Sequence, residues 1–347
     1  MQKYLAVLAL SSAFAAPTST TPASVPFDAD LFRRDTPVFS SHVEFLYWKV
    51  DEGALDYAIS MNSPAWDASG TDNYAVGNMK RSIFNIDPGF RLGLSYFRAP
   101  HYWEVWAQYT RMTSRGHSHT SAPPEAGEYL TGTWPQLLDP NPIVRAETDL
   151  HLNYNVADFM ADRYFNPNPH FRARLLGGLT GAWINQNWAI HYFDASSNHT
   201  DIHSRWLFGG VGLRLGTTLD WFWTNDIYLS ARGTVAALLG YYRNKTKQTL
   251  SAGAGTGGQN TTLDPRNVSY SDARAATTLQ MIVGPSYQKN FTNMRIEAFV
   301  GYELTTWTNL QEVYRSTSGA PYQAKETFIN SGLLCLQGLT ARLTMDY

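Results

Sequence analysis

RAETDLHLNYNV, residues Arg145–Val156, decides the fold. Ala146, Thr148, Leu150, Leu152, Tyr154 and Val156 form one row, and Arg145, Glu147, Asp149, His151, Asn153 and Asn155 form the other. Side chains of a β-strand alternate between two faces, so one face here is almost wholly apolar and the other wholly polar. The same division recurs outward along the chain. Phe90, Leu92, Leu94 and Tyr96 stand against Arg91 and Ser95, and Phe171, Ala173, Leu175, Leu179 and Trp183 against Arg172, Arg174 and Thr180. Leu229, Ala231, Val235 and Leu239 oppose Ser230, Arg232 and Thr234; Leu279, Met281 and Val283 oppose Arg274, Thr278 and Gln280; Ile296, Ala298 and Val300 oppose Arg295, Glu297 and Glu303.

These runs exceed the five or six residues typical of globular strands and reach the roughly 9–11 that a tilted membrane-crossing strand requires. The pattern predicts strands at 43–61 (kinked near Gly53), 81–97, 102–112, 145–158, 170–184, 203–216, 226–242, 272–287, 293–307 and 327–347. Five long connections, 62–80, 113–144, 185–202, 243–271 and 308–326, then share one end, and four shorter ones share the other. That is an all-β, antiparallel transmembrane β-barrel of about ten strands. Twelve follow if Asp51-Glu52-Gly53 breaks the first segment in two or if a hairpin hides in a loop.

Export signals agree. Lys3, the apolar run Leu5–Leu10 and Ala13-Phe14-Ala15 read as a signal peptide over residues 1–16, cut near Ala15 or Ala16. Residues 17–41, rich in Pro, Ser and Thr, read as a flexible segment, and the barrel domain as 42–347. No later stretch is apolar enough for a membrane helix; the best, Val235–Tyr242, is far short of the required ~18 residues. Charged residues make up 16% and aromatics 14% of the chain. The usual charged share is about 25%, and a lipid-facing belt explains the deficit. A net charge of −2 gives no footprint for nucleic acid. The one cysteine, Cys335, excludes an intramolecular disulfide scaffold. Leu339, Ala341, Leu343, Met345 and the terminal Tyr347 alternate as in the closing strand that barrel-assembly machinery reads. Trp103, Trp183, Trp206, Trp221, Phe222 and Trp223 sit near strand ends, as interfacial girdles do.

If the apolar rows face lipid, with Leu150, Leu152, Leu279, Ile296 and Val300 among them, the charged rows face a lumen. The expected lining is Arg91, Arg145, Glu147, Asp149, Arg172, Arg174, Arg232, Arg274, Arg295, Glu297 and Arg342. The expected function is a porin-like channel for passive diffusion of small hydrophilic or charged solutes, steered by a transverse field across a water-filled pore, in a surface-exposed protein. The alternative is a structural or adhesin barrel plugged by salt bridges, because barrels near eight strands are filled by side chains, that binds host or envelope partners through its long loops. No enzyme is expected. Asp149 and His151, two residues apart in mid-strand, read as an ordinary contact, and His117, His119, His199 and His203 read as solvated loop residues without metal spacing. No cofactor or metal is implied. Expected partners are outer-membrane lipid and lipopolysaccharide, the assembly machinery, small solutes and further copies of the chain.

The block Val43-Glu44-Phe45-Leu46-Tyr47-Trp48-Lys49, followed by Glu52-Gly53-Ala54-Leu55-Asp56-Tyr57-Ala58, resembles the opening motif of the Legionella-type major outer membrane protein family, also found in chlamydia-related bacteria. Pro88-Gly89-Phe90-Arg91-Leu92-Gly93-Leu94 is similar to that family's second block, and the aromatic C-terminus fits. The resemblance covers about residue 40 to the end. It implies a diffusion porin of the outer membrane that is also a surface antigen or adhesin, and it supplies no catalytic residues. The single Cys335 departs from members that cross-link the envelope through several cysteines.

Overall fold

The computed structural model describes residues 37–61, 65–66, 73–74, 77–98, 102–125, 128–134, 143–168, 170–195, 198–251, 262–310, 312–316, 326–330 and 333–347. The expected signal peptide and most of the 17–41 segment lie outside them; Val38–Ser41, expected to be flexible, already belong to the first strand. Ten long strands make the wall: β1 (Val38–Glu52), β2 (Ile86–Arg98), β3 (Trp103–Ser121), β4 (Ile143–Asn168), β5 (Phe171–Asp194), β6 (His199–Phe222), β7 (Ile227–Ser251), β8 (Thr262–Asn290), β9 (Arg295–Thr308) and β10 (Leu333–Asp346). Each pairs antiparallel with its neighbour in sequence, and β1 pairs with β10 from Ser40↔Asp346 to Glu52↔Leu334, so the ring closes at ten. Closure leaves no wall edge unpaired, which is what permits strands to cross hydrocarbon. Tyr347 seals the seam: its N–H donates to the Phe39 carbonyl at 2.8 Å, and the Phe39 N–H donates back.

The six strands β3 to β8 are longer than the periodicity predicts, whereas β1, β2, β9 and β10 are shorter. β4 has 26 residues, about 85 Å of chain. The 185–202 stretch, expected as a loop, is mostly wall, because β5 runs to Asp194 and β6 starts at His199. His117, His119, His199 and His203 therefore lie on strands rather than in loops.

Along β4 the alternation holds unbroken from Ala146 to Asp162, yet its meaning reverses. Even-numbered residues point inward over this span. From Ala146 to Val156 they are mostly apolar and buried, while Asp158 and Asp162 continue the same row as buried acids. Odd-numbered residues point outward, polar from Arg145 to Asn155 and then apolar at Ala157 and Phe159. Neighbouring strands switch at nearly the same level: Tyr109 to Arg111 on β3, Trp183 to Asn185 on β5, Leu207 to Arg205 on β6 and Tyr241 to Arg243 on β7. The barrel thus has two halves. Toward the end that holds Val38 and the C-terminal Tyr347, an apolar belt faces outward and charges face inward. Toward the end with the long connections, the wall is polar outside and apolar inside, as in a water-soluble barrel.

This overturns part of the lipid-face assignment. Leu279 and Val300 are exposed on the belt and Ile296 is half-exposed there, but Leu150 and Leu152 are buried in the interior. Trp103, Trp183, Trp221 and Trp223 are exposed as girdle residues should be, whereas Trp206 and Phe222 point inward and are buried.

At the loop end the chain itself fills the opening. After Glu52 it turns through Ala54 at φ 55°, a left-handed conformation that costs a non-glycine residue about 1–2 kcal/mol. The first predicted strand, 43–61, therefore ends at Glu52, and Asp56–Met61 forms a short separate strand paired with Gly77–Arg81 and Tyr129–Gly132. Tyr57, Ala58, Leu130 and Trp134 from these pieces join the same core as Leu150, Ile184, Trp188 and Tyr192. The Tyr192 hydroxyl donates to the Tyr57 carbonyl at 2.5 Å.

Two substitutions in β4 test the reversal. Leu152→Ala empties a packed core site and should cost about 2–5 kcal/mol, lowering the temperature at which the folded gel band is lost. Asn153→Ser, one residue away on the wet face, should change stability by less than ~0.5 kcal/mol. Equal effects would show that β4 does not reverse.

Candidate functional site

A charged residue between two apolar ones within a strand marks the inward row of the belt half: Val43-Glu44-Phe45, Phe90-Arg91-Leu92, Leu213-Arg214-Leu215 and Leu219-Asp220-Trp221. Ionised groups there have no water outside the wall to turn to, so each needs a partner inside. Arg91 on β2 is held by Glu44 on β1 at 2.5 Å and by Glu303 on β9 at 2.8 Å, and its Nε donates to Thr110 on β3 at 2.8 Å. Glu303 accepts from Gln280 on β8 at 2.5 Å and from Thr340 on β10 at 2.8 Å. Gln280 in turn accepts from Arg214 on β6 at 2.7 Å. Arg214 donates to Thr234 on β7 and Thr180 on β5 and lies 3.0 Å from Asp158 on β4, which Gln108 on β3 also contacts. One connected polar network therefore takes at least one side chain from each of the ten strands and crosses the lumen.

Trp48 links this floor to the core beyond it, its indole N–H donating to Thr340 at 3.1 Å. Gly338 makes room, since a Cβ there would lie 2.2 Å from the Tyr47 carbonyl and 3.1 Å from the Trp48 ring. Beyond the floor, Trp307 packs edge-on against Tyr154 at 6.2 Å, and both are buried. On the terminal side of the floor the charges form smaller groups. Asp220 takes Arg172 at 2.9 Å, Arg174 at 3.3 Å and the Ser230 hydroxyl; Glu297 takes Arg342 at 3.0 Å; Arg295 pairs with Asp346. Between them lies a cavity of about 90 Å³ lined by Glu104, Asp162, Arg174, Arg232, Glu297 and Arg342, room for a few waters.

Arg91, Arg172, Arg174, Arg232, Arg295, Glu297 and Arg342 of the expected lining thus point inward in the belt half, and Arg274 points inward in the loop half, paired with Asp272 and Glu312 at 3.0 Å. Arg145, Glu147 and Asp149 do not line the lumen. They stand on the outer wall beyond the belt, where Arg145 pairs with Glu147 at 2.8 Å and Asp149 with His117 at 2.8 Å. Here the apolar row from Ala146 to Val156 packs inward, which turns their polar row outward to water. Glu44, Asp158, Arg214 and Asp220 are members that periodicity alone passed over; the flanking apolar residues were their signal. Among the described residues no group of His, Cys, Asp and Glu could hold a metal.

Two titrating groups lie in the loop half. Asp201 holds His191 at 2.6 Å, and this hydrogen bond raises the histidine's pKa. Glu52 is buried at the end of β1; burial pushes its pKa up to about 8, against a smaller lowering by the Gln186 amide.

A closed ten-strand ring of this kind, apolar outside and ionic inside across its belt, is the architecture of outer-membrane β-barrels. The family described as Legionella pneumophila major outer membrane protein precursor matches residues 34–339, and the chain belongs to that family. The outer membrane follows as its location, with the terminal end periplasmic and the loop end external. No curated protein sequence matches it significantly. Solved structures similar to it include the outer membrane protease OmpT from Escherichia coli, with 11% identity, 91% of this chain and 98% of that chain covered, and a TM-score of 0.39. A Pseudomonas aeruginosa FadL homologue follows at 9% identity, 90% of each chain and a TM-score of 0.24, and the P. putida toluene transporter TodX at 8%, 90% of each chain and 0.19. The barrel assignment stands on the closed ring and the family, not on these scores.

Glu303→Ala would strip Arg91, Gln280 and Thr340 of a shared acceptor, and breaking one side of a buried ion pair costs about 3–5 kcal/mol. The heat-modifiable band should convert to the unfolded position at a clearly lower temperature, with Glu303→Gln intermediate. For Glu52 the sign is set by a raised carboxyl pKa. The folded state prefers the neutral acid, so this stabilisation is complete below about pH 4.3, the unfolded value, and is lost as pH rises through about 8. Thermal melts at pH 6 and pH 9 should show a loss in the native protein that Glu52→Gln removes.

Proposed function

We infer that the chain acts as a closed-lumen outer-membrane barrel whose working surface is its external half, where it meets envelope or host partners. The observation that carries this is the floor built from all ten strands, with Trp48, Trp307 and Tyr154 packed directly beyond it. A small charged solute would have to replace paired ions and then cross an apolar core. The reading includes no catalytic role.

A second reading, passive diffusion of small hydrophilic or charged solutes, is favoured by the ionic lining below the floor and its polar cavity. It requires the floor to open and the inserted Asp56–Met61 and Tyr129–Gly132 pieces to leave. Planar-bilayer recording of the purified chain separates the two. The closed reading expects no discrete conductance steps in the native protein and steps after Arg91→Ser with Glu303→Ser. Regular steps in the native protein would establish the diffusion reading, and Arg172→Glu or Arg174→Glu should then shift its preference toward cations.

A further inference from the structure

Just beyond the belt, the outer wall carries a cluster of basic residues. On β7 the outward row runs Leu239 and Tyr241, then Arg243, Lys245 and Lys247; on β6 it runs His203 and Arg205, then Leu207 and Val211. Register puts Arg205 directly opposite Lys245 and His203 opposite Lys247. Like charges facing each other across a strand pair destabilise it. Arg205 and Lys245 are exposed, and among the described residues neither makes a hydrogen bond or an ion pair. The carboxylates of this wall are engaged elsewhere, Asp149 by His117 at 2.8 Å and Asp201 by His191 at 2.6 Å and His199 at 3.5 Å. Beside the cations is a hollow of about 430 Å³ floored by Ala189, with Asn187, His203, Arg205 and Lys245 around it and Asp149 on its far side.

Level decides what fills it. Successive outward residues are about 6.6 Å apart along a strand, and less in height because barrel strands tilt by ~40°. Arg243 and Arg205, one outward residue past the apolar edge, thus sit about 5 Å beyond it, inside the roughly 5–8 Å of the polar headgroup layer, and Lys245 stands at that layer's outer margin. The external leaflet of this membrane is built from phosphorylated glycolipid. We propose that the β6–β7 wall is a binding site for the phosphates of an outer-leaflet glycolipid of the lipid A type, with Arg205, Lys245 and Arg243 on the phosphates and its acyl chains on Leu207, Val211 and Leu239.

Native mass spectrometry of the detergent-purified full chain, titrated with bisphosphorylated lipid A, tests this. Arg205→Ser with Lys245→Ser should weaken retention roughly thirtyfold, each cation at a lipid surface being worth about fivefold. Both positions are exposed, so the folded gel band should persist. A control at the opposite rim, Arg98→Ser with Lys289→Ser, should leave retention unchanged. Monophosphoryl lipid A should bind more weakly than the bisphosphate. Retention unchanged in the β6–β7 variant, equal loss in the rim control, or displacement of the lipid by millimolar inorganic phosphate would each overturn the assignment.

Discussion

Arg91 cannot stand alone. It sits inside a ring whose outer surface is apolar at its level, so neither water nor lipid can satisfy its guanidinium, and Glu44 and Glu303 must both come to it. Because Glu303 lies on β9 and Arg91 on β2, the pair spans strands that are not neighbours, and the demand for partners propagates to Gln280, Arg214 and Asp158 until the circuit has touched every strand. The network crosses the lumen through the same requirement that keeps its charges soluble in protein. Removing one ion from such a circuit costs more than the circuit contributes as a whole, since the survivors remain buried.

Much of the fold was legible as sequence. Ten strands, the grouping of five connections at one end, and the closing pattern at Tyr347 follow from a period of two, although the connection expected over 185–202 shrinks to the few residues between Asp194 and His199. What the period does not carry is the sign of each face. An alternating strand has one apolar and one polar side wherever it lies, and its surroundings decide which is outside. At Arg145–Val156 the surroundings are water, so Leu150 and Leu152 go in; at Leu175–Trp183 they are hydrocarbon, so Leu175 and Leu179 go out. The clue was within reach on β4, where one row changes from Asn153 and Asn155 to Ala157 and Phe159 without losing phase.

The lumen was legible to the same extent. Eight of the charged residues expected inside are there because their strands do cross the belt or, for Arg274, because its inward row continues beyond it. Arg145, Glu147 and Asp149 failed together, as one mistaken face. The inserted Asp56–Met61 piece could not be read from alternation, since its pairing partners are distant in sequence and its burial depends on Tyr192 and Trp134 of other segments.

The reversal of faces also fixes the protein's draught. Asn155, Arg111 and Arg243 mark a waterline on three strands, with Ala157, Tyr109 and Tyr241 immediately under it. Sinking by one outward residue would immerse a ring of polar groups, at roughly 2–4 kcal/mol for each arginine or lysine that nears the midplane and less near the surface; rising by one would wet Leu207's neighbours and strand Trp183 in water. A barrel apolar along its whole outer length could slide to suit a thicker or thinner bilayer. This one floats at a single depth, and the membrane must adjust to it.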